Sequence, residues 1–136
     1  MKLRPYLIKA LKVLRKHYEM VLFTAASAPY AELVLQSFDG HQYFDHILSR
    51  LQCLHIYQKA VFIKDLSILL GKRVLGDIII VDNKIESYSS NLENGIPIVS
   101  YYGQEGDIML KKLARYLLKL KDAEDVRDNI ARDFYL

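Results

Sequence analysis

The sequence predicts an α/β domain: a mainly parallel sheet flanked by helices. Three observations lead there. Short apolar runs, such as VLF at 21–23 and IIIV at 78–81, alternate with longer segments whose apolar residues recur every three or four positions. The run 78–81 is β-branched throughout, as a strand covered on both faces requires. It stops at Asp82-Asn83, and the carboxyl ends of strands are where open α/β sheets place their ligands.

The elements follow in order. In RPYLIKALKVLRKHY, Pro5 suits a first helical turn, and Leu7, Ala10, Leu11 and Leu14 share one face, predicting a helix over 5–17. EMVLFTAAS holds a strand at 21–23 with small residues at its exit. Ser27 is placed to cap the next helix, 29–38, with Pro29 in its first turn; Tyr30, Leu33, Val34, Leu35 and Phe38 form its expected apolar side. FDGHQYFDH is a break, and ILSRLQCLHIYQKAVFIKDLSILL reads as short strands or a hairpin ending near Lys64-Asp65. After the strand at 78–81, SYSSNLENG reads as a loop. IPIVSYY is extended, with Pro97 marking an edge or an end. Ile108, Leu110, Leu113, Leu117 and Leu120 predict a helix over 107–120. A shorter helix over 123–134 follows, with Asp122 as cap and Val126, Ile130 and Phe134 inward.

The 136 residues suit a single domain, 1–136, able to bury a real core. Apolar runs of four or five residues are too short to span a bilayer, and no signal-peptide pattern opens the chain. One cysteine, Cys53, forms no internal disulfide, which fits a reducing compartment, nucleus or cytoplasm. The net charge is only +3, with much of the basic character at Lys2, Arg4, Lys9, Lys12, Arg15 and Lys16. A solvated helix face accounts for that run more simply than nucleic-acid binding does, although cations beside an anion-binding cleft also suit a phosphorylated or acidic partner.

Three strand ends carry candidate chemistry. Thr24 follows VLF and offers a hydroxyl to a phosphate oxygen; Lys64 follows VFI and offers a point charge. Asp82 follows IIIV and offers hard carboxylate oxygens to Mg²⁺, with the Asn83 amide beside it. Each alone also fits a cap, a solvated strand end or a turn. Together they describe a phosphate-plus-metal site.

The blocks RPYLIKALKVLRKHYEMVLFTAAS, HILSR…C, FIKDLSIL, IIIVDNKIESY and NGIPIVSYYG resemble, in sequence and order, the FCP1-homology or NLI-interacting-factor-like phosphatases. These small C-terminal-domain phosphatases belong to the haloacid-dehalogenase superfamily. The resemblance covers residues 4 to 134. It implies an HAD-like sheet with a short β insertion. It also implies Mg²⁺-dependent hydrolysis of protein phosphoserine and phosphothreonine, the RNA polymerase II C-terminal tail being a substrate of many members, with no direct role for nucleic acid or membrane. By resemblance Thr24 binds phosphate, Lys64 holds the phosphoryl group and steadies the nucleophile, and Asp82 and Asn83 serve the metal. Arg50 sits where members bind the phosphopeptide, and Tyr30 lies near the helix bordering the groove, where a packed aromatic is the plainer reading. Cys53 reads as a small buried residue, not a nucleophile.

One block departs from the pattern. Family members carry an aspartate-x-aspartate-x-threonine motif on a strand ahead of the RP helix, whose first Asp attacks phosphorus and whose second acts as acid and base. No two aspartates of this chain stand two residues apart, and MKLRP opens directly at the helix. The expectation is therefore an N-terminally truncated member lacking its first central strand. As an isolated chain it should be inactive and hold Mg²⁺ weakly or not at all. Without that strand, two apolar strand edges should face a slot that either closes or takes another segment. Alternative readings are a non-catalytic phosphoprotein-binding or scaffold protein using the same groove, a relative of the mitochondrial import-receptor domain with this fold, and an α/β domain with no ligand.

Overall fold

The computed structural model describes residues 2–56, 58 and 60–135. Helix α1 (Leu7–Arg15) leads into strand β1 (Val21–Phe23), and α2 (Ala28–Ser37) leads through a 3₁₀ turn to β2 (His46–Leu48). Strands β3 (Leu54–Ile56) and β4 (Val61–Ile63) form the expected hairpin; Tyr57 and Lys59, within the same expected segment, lie outside the described residues. Strands β5 (Ile80–Asp82) and β6 (Gly95–Pro97) and helices α3 (Met109–Leu120) and α4 (Val126–Ile130) complete the order.

The parallel character is present, but not as one continuous sheet. β1 pairs with β2 in parallel, Val21 opposite His46, and β5 with β6 in parallel, Ile80 opposite Gly95. β3 and β4 pair antiparallel, Leu54 opposite Ile63. Among the described residues β1 has no strand partner except β2, and β5 none except β6. The two parallel ribbons have not closed on each other.

β5 sits between two apolar layers, as its uninterrupted hydrophobic run requires. Successive strand residues point to opposite faces. Ile78 and Ile80 pack with Leu66 and Tyr88 on one side. Ile79 and Val81 meet the cluster of Leu14, Ile96, Leu117, Leu120, Val126 and Ile130 on the other. That second cluster joins α1, α3 and α4 in a single layer.

Several local expectations are corrected. Pro5 precedes α1, whose N-cap is Tyr6 in the left-handed region (φ 70°). Tyr30 and Leu33 are 59% and 65% exposed, because α2 turns only Ala31 and Leu35 fully inward. Ser27 stands at the N-cap of α2 without a side-chain capping bond. SYSSNLENG is not a plain loop: residues Ile85–Asn94 form 3₁₀ turns, interrupted at Tyr88 and Asn91. The Tyr88 ring is fully buried there, its hydroxyl 3.2 Å from that of Tyr135, and draws the segment onto the core. Ile108 is the exposed residue before α3, and Asp125, not Asp122, caps α4 by accepting from the Arg127 N–H at 3.0 Å. Phe134 is 40% exposed and rests edge-on against Tyr116 in a π-helical turn, Ala131–Tyr135.

Candidate functional site

Residues at the carboxyl ends of β1 and β5 meet in a cleft of about 300 Å³, reached by Phe23, Lys64, Val81, Asp82 and Asn83, with Arg4, Ser100 and Tyr101 along one wall. A larger open depression, about 580 Å³, lies among Arg15, Tyr18, Glu19, Asp45 and His46. Those residues stand at the amino ends of β1 and β2, away from the end where α/β sheets bind ligands. The smaller cleft is the candidate site.

Lys64 leaves the end of β4 and its Nζ donates to Asp82 Oδ2. Both side chains are nearly buried, at 12% and 7% exposure. The other carboxylate oxygen, Oδ1, accepts from the Lys84 N–H at 2.9 Å. The Lys64 backbone N–H donates to Ser87 O at 2.7 Å, so the 3₁₀ segment that buries Tyr88 also fixes where the ammonium points. An ammonium has three protons, and Asp82 takes one, leaving donors for an anion. Asn83 donates through Nδ2 to Ser100 Oγ at 2.9 Å.

Thr24 follows β1, next to Phe23 of the cleft; its N–H continues the β2 ladder to Leu48 O at 2.9 Å. Its hydroxyl oxygen accepts from the Ala26 N–H at 3.1 Å, which leaves the hydroxyl proton to donate. Arg50 is drawn to the same exit: its Nε donates to Ala25 O at 2.8 Å and its guanidinium lies 5.3 Å from the Phe62 ring centre. No ion pair holds it among the described residues. Cys53 sits beneath, with Sγ 3.8 Å from Thr24 O; burial pushes its thiol up, outweighing the pull of Lys64 and Arg50. The structure thus brings Thr24, Arg50, Lys64, Asp82 and Asn83 to one end of the molecule. Of these, Lys64, Asp82 and Asn83 line the cleft itself; Thr24 and Arg50 stand beside it, and Tyr30 is not among its lining residues either.

Arg4 was legible only as one of many basic residues. It forms a two-pronged pair with Asp107, Nε–Oδ1 and NH2–Oδ2 both 3.0 Å, while NH1 donates to Val99 O at 2.8 Å. This holds the Asp107 carboxyl below the usual carboxylate range. Arg4 also lies 5.6 Å from the Tyr101 ring centre, and Tyr101 Oη is buried with no hydrogen-bond partner among the described residues. Partners 103 residues apart leave no local pattern in sequence.

The donor set does not by itself fit Mg²⁺. This ion demands near-octahedral oxygen ligation. Asp82 is one carboxylate with both oxygens already engaged, and no group of three or more His, Cys, Asp or Glu converges for a metal among the described residues. The arrangement supplies positive charge and hydroxyl donors for an anion.

Known proteins resemble the chain along nearly its whole length. A family model described as NLI interacting factor-like phosphatase matches residues 1–127. The chain is 34% identical, over 99% of its length, to CTD small phosphatase-like protein 2 of Dictyostelium discoideum, of which it covers 23%. It is 34% identical, over 95% of its length, to the human carboxy-terminal domain RNA polymerase II polypeptide A small phosphatase 2, of which it covers 46%. These relatives are thus two to four times as long as the stretch they share with it. In three dimensions 96% of the chain superposes on 38% of the fission yeast RNA polymerase II CTD phosphatase Fcp1 bound to beryllium fluoride, with a TM-score of 0.60 and 20% identity, a likeness of fold.

Proposed function

The chain belongs to the NLI interacting factor-like phosphatase family, and from that premise we propose that its cleft receives the phosphorylated serine or threonine of a protein substrate. The observation that carries this reading is the convergence of Lys64 with Asp82 in the cleft, beside the end of β1. A phosphate approaching the spare protons of Lys64 would meet the Thr24 hydroxyl and the planar fork of Arg50. Asp82 holds the ammonium in place, and the Lys84 N–H holds Asp82. The RNA polymerase II C-terminal tail is one such phosphoprotein, suggested by the names of the relatives.

Hydrolysis through a phosphoenzyme needs a carboxylate in line with the leaving oxygen and an acid to protonate that oxygen. Among the described residues lining the cleft Asp82 is the one carboxylate, and it is already held by Lys64 and the Lys84 N–H, with no second carboxylate to act as acid. Residues 1–136 therefore act, in this proposal, as the phosphate-holding part of a phosphatase, binding without turnover. The metal site of the complete family would need further carboxylates beside Asp82 and Asn83.

The test compares a phosphoserine peptide with its unphosphorylated twin by fluorescence anisotropy at low salt. The phosphorylated form should bind about tenfold tighter, and the exposed substitution Arg50→Gln should remove part of that preference. Equal binding of both peptides would overturn the reading. Phosphate release from the peptide by residues 1–136 would overturn the claim of binding without turnover.

A further inference from the structure

Helices α1 and α3 carry no Asp or Glu, although the whole chain is nearly balanced in charge. Lys9 and Lys12 on α1, Lys16 at its end, and Lys111, Lys112 and Arg115 on α3 are all exposed. None of the six forms an ion pair among the described residues.

The two rows lie side by side. Leu14 of α1 and Leu117 and Leu120 of α3 enter the same core cluster. Lys111 Nζ lies 5.6 Å from the Tyr6 ring centre at the start of both helices, and Tyr18 Oη donates to Leu117 O towards their ends. The helices therefore run parallel. At 100° per residue, Lys9, Lys12 and Lys16 lie opposite Ala10, Leu11 and Leu14, and Lys111, Lys112 and Arg115 lie opposite Leu113, Leu117 and Leu120. Both basic rows face outward from one layer. The nearby acids Asp107, Asp45 and Asp133 are held by Arg4, Arg15 and Arg132, so they do not neutralise the rows.

The basic face begins a few residues from the cleft along the chain. Arg4, in the cleft wall, is three residues ahead of α1, and its partner Asp107 is two ahead of α3. Lys2 reaches the same loop, donating to Gly103 O at 3.3 Å. We propose that the outer face of α1 and α3 docks an acidic or multiply phosphorylated polypeptide segment flanking the phosphoresidue in the cleft.

Its dimensions suit such a segment. Lys9 to Lys16 spans about 10 Å of helix, and the neighbouring axis lies about 8–10 Å away. That is the reach of three or four extended residues, short of the track a duplex needs to engage many phosphates. Five of the six cations are lysines, which act as point charges on a mobile acidic chain without demanding one geometry. The docking partner rests on the proposed substrate class; the charged surface itself does not.

Anisotropy titrations separate the two. The probes are a phosphoserine peptide with six glutamates on one side and the same peptide with six glutamines. The wild-type chain should bind the glutamate peptide about tenfold tighter at low salt, with the gain shrinking as salt rises. The triple variants Lys12→Glu/Lys16→Glu/Lys112→Glu and Lys12→Gln/Lys16→Gln/Lys112→Gln should lose that gain, keep their melting temperature, and bind the glutamine peptide as before. A glutamate gain that survives in both variants overturns the docking surface. So does competition by duplex DNA or phosphatidylserine vesicles that exceeds competition by free polyglutamate. With the unphosphorylated twins of both probes added, a glutamate gain lost in the variants upholds the surface, while equal binding of phosphorylated and unphosphorylated peptides overturns the cleft reading alone.

Discussion

Lys64 and Asp82 show how one pair of charges serves both site and fold. Each is nearly buried, so either alone would be an uncompensated charge in a poorly solvated place. Lys64→Met should therefore cost about 3 kcal/mol in urea denaturation, and Lys64→Met with Asp82→Leu should recover a large part of it. A double variant as unstable as the single would show that the pair contributes packing more than charge compensation. At the opposite end of β1 the Arg73 guanidinium, with His46, holds the Glu19 carboxyl down at about 2 from an ordinary 4.5. A depressed carboxylate stabilises the fold above its unfolded pKa and loses that contribution as pH falls through the folded one. The melting temperature of wild type should accordingly exceed that of Glu19→Gln at pH 6, and the gap should close between about pH 4.5 and 2. A gap independent of pH would remove the carboxylate's charge from the explanation. Thr24, Lys64 and Asp82 were legible in sequence because each follows an apolar strand. Arg4 was not, since its partner is brought in by the packing of α3 against α1.

At the level of elements, tertiary burial overrode local pattern in both directions. The 85–94 segment has the Ser, Asn and Gly of a loop, yet full burial of Tyr88 and the acceptance of the Leu66 N–H by Asn91 Oδ1 at 3.0 Å wind it into 3₁₀ turns. On α2 the opposite happened: Tyr30 and Leu33 fit a helical apolar stripe, but the helix buries only Ala31 and Leu35 fully. The strand at 78–81 was plain from composition, whereas its hydrogen-bonded length, Ile80–Asp82, depends on the neighbour that pairs with it. Gly95 exposes the tightest of these element contacts. A Cβ there would stand 2.0 Å from the Tyr88 ring, so Gly95→Ala must shift either β6 or the buried tyrosine. Overpacking of this kind costs about 1–3 kcal/mol. Thermal denaturation should show the loss, and a variant as stable as wild type would mean that Tyr88 has room to move.

Across the whole molecule, the two parallel ribbons stand as halves of a sheet. Ladder bonds alternate along a strand. Thr24 N and Met20 O face β2, so the backbone groups of Val21 and Phe23 point the other way. Asp82 O faces β6, so those of Val81 point away from β6. Phe23 and Val81 both line the cleft between the ribbons. Around the gap, α1 and α3 share a core, and the pairs Arg4–Asp107 and Glu19–Arg73 tie distant segments of chain together. An extended strand entering parallel to both would find donors and acceptors on each side and apolar cover. Docking it costs about 1–2 kcal/mol per residue in backbone order, offset by about 25 cal/mol for each Å² of apolar surface removed from water. A strand of five or six β-branched residues thus yields a modest net gain if it fits. Ending that strand in the aspartate-x-aspartate-x-threonine motif of the family would set new carboxylates at the level of Lys64 and Asp82, supplying both an in-line nucleophile and further metal ligands. A chain carrying such a strand ahead of Met1 should melt higher than residues 1–136 and release phosphate from a phosphoserine peptide in the presence of Mg²⁺. Changing the first of the added aspartates to Asn should keep the higher melting temperature and abolish release. An unchanged melting temperature with no release would show that the ribbons have settled into a packing that admits no strand, and would leave phosphoprotein binding as the activity of this fold.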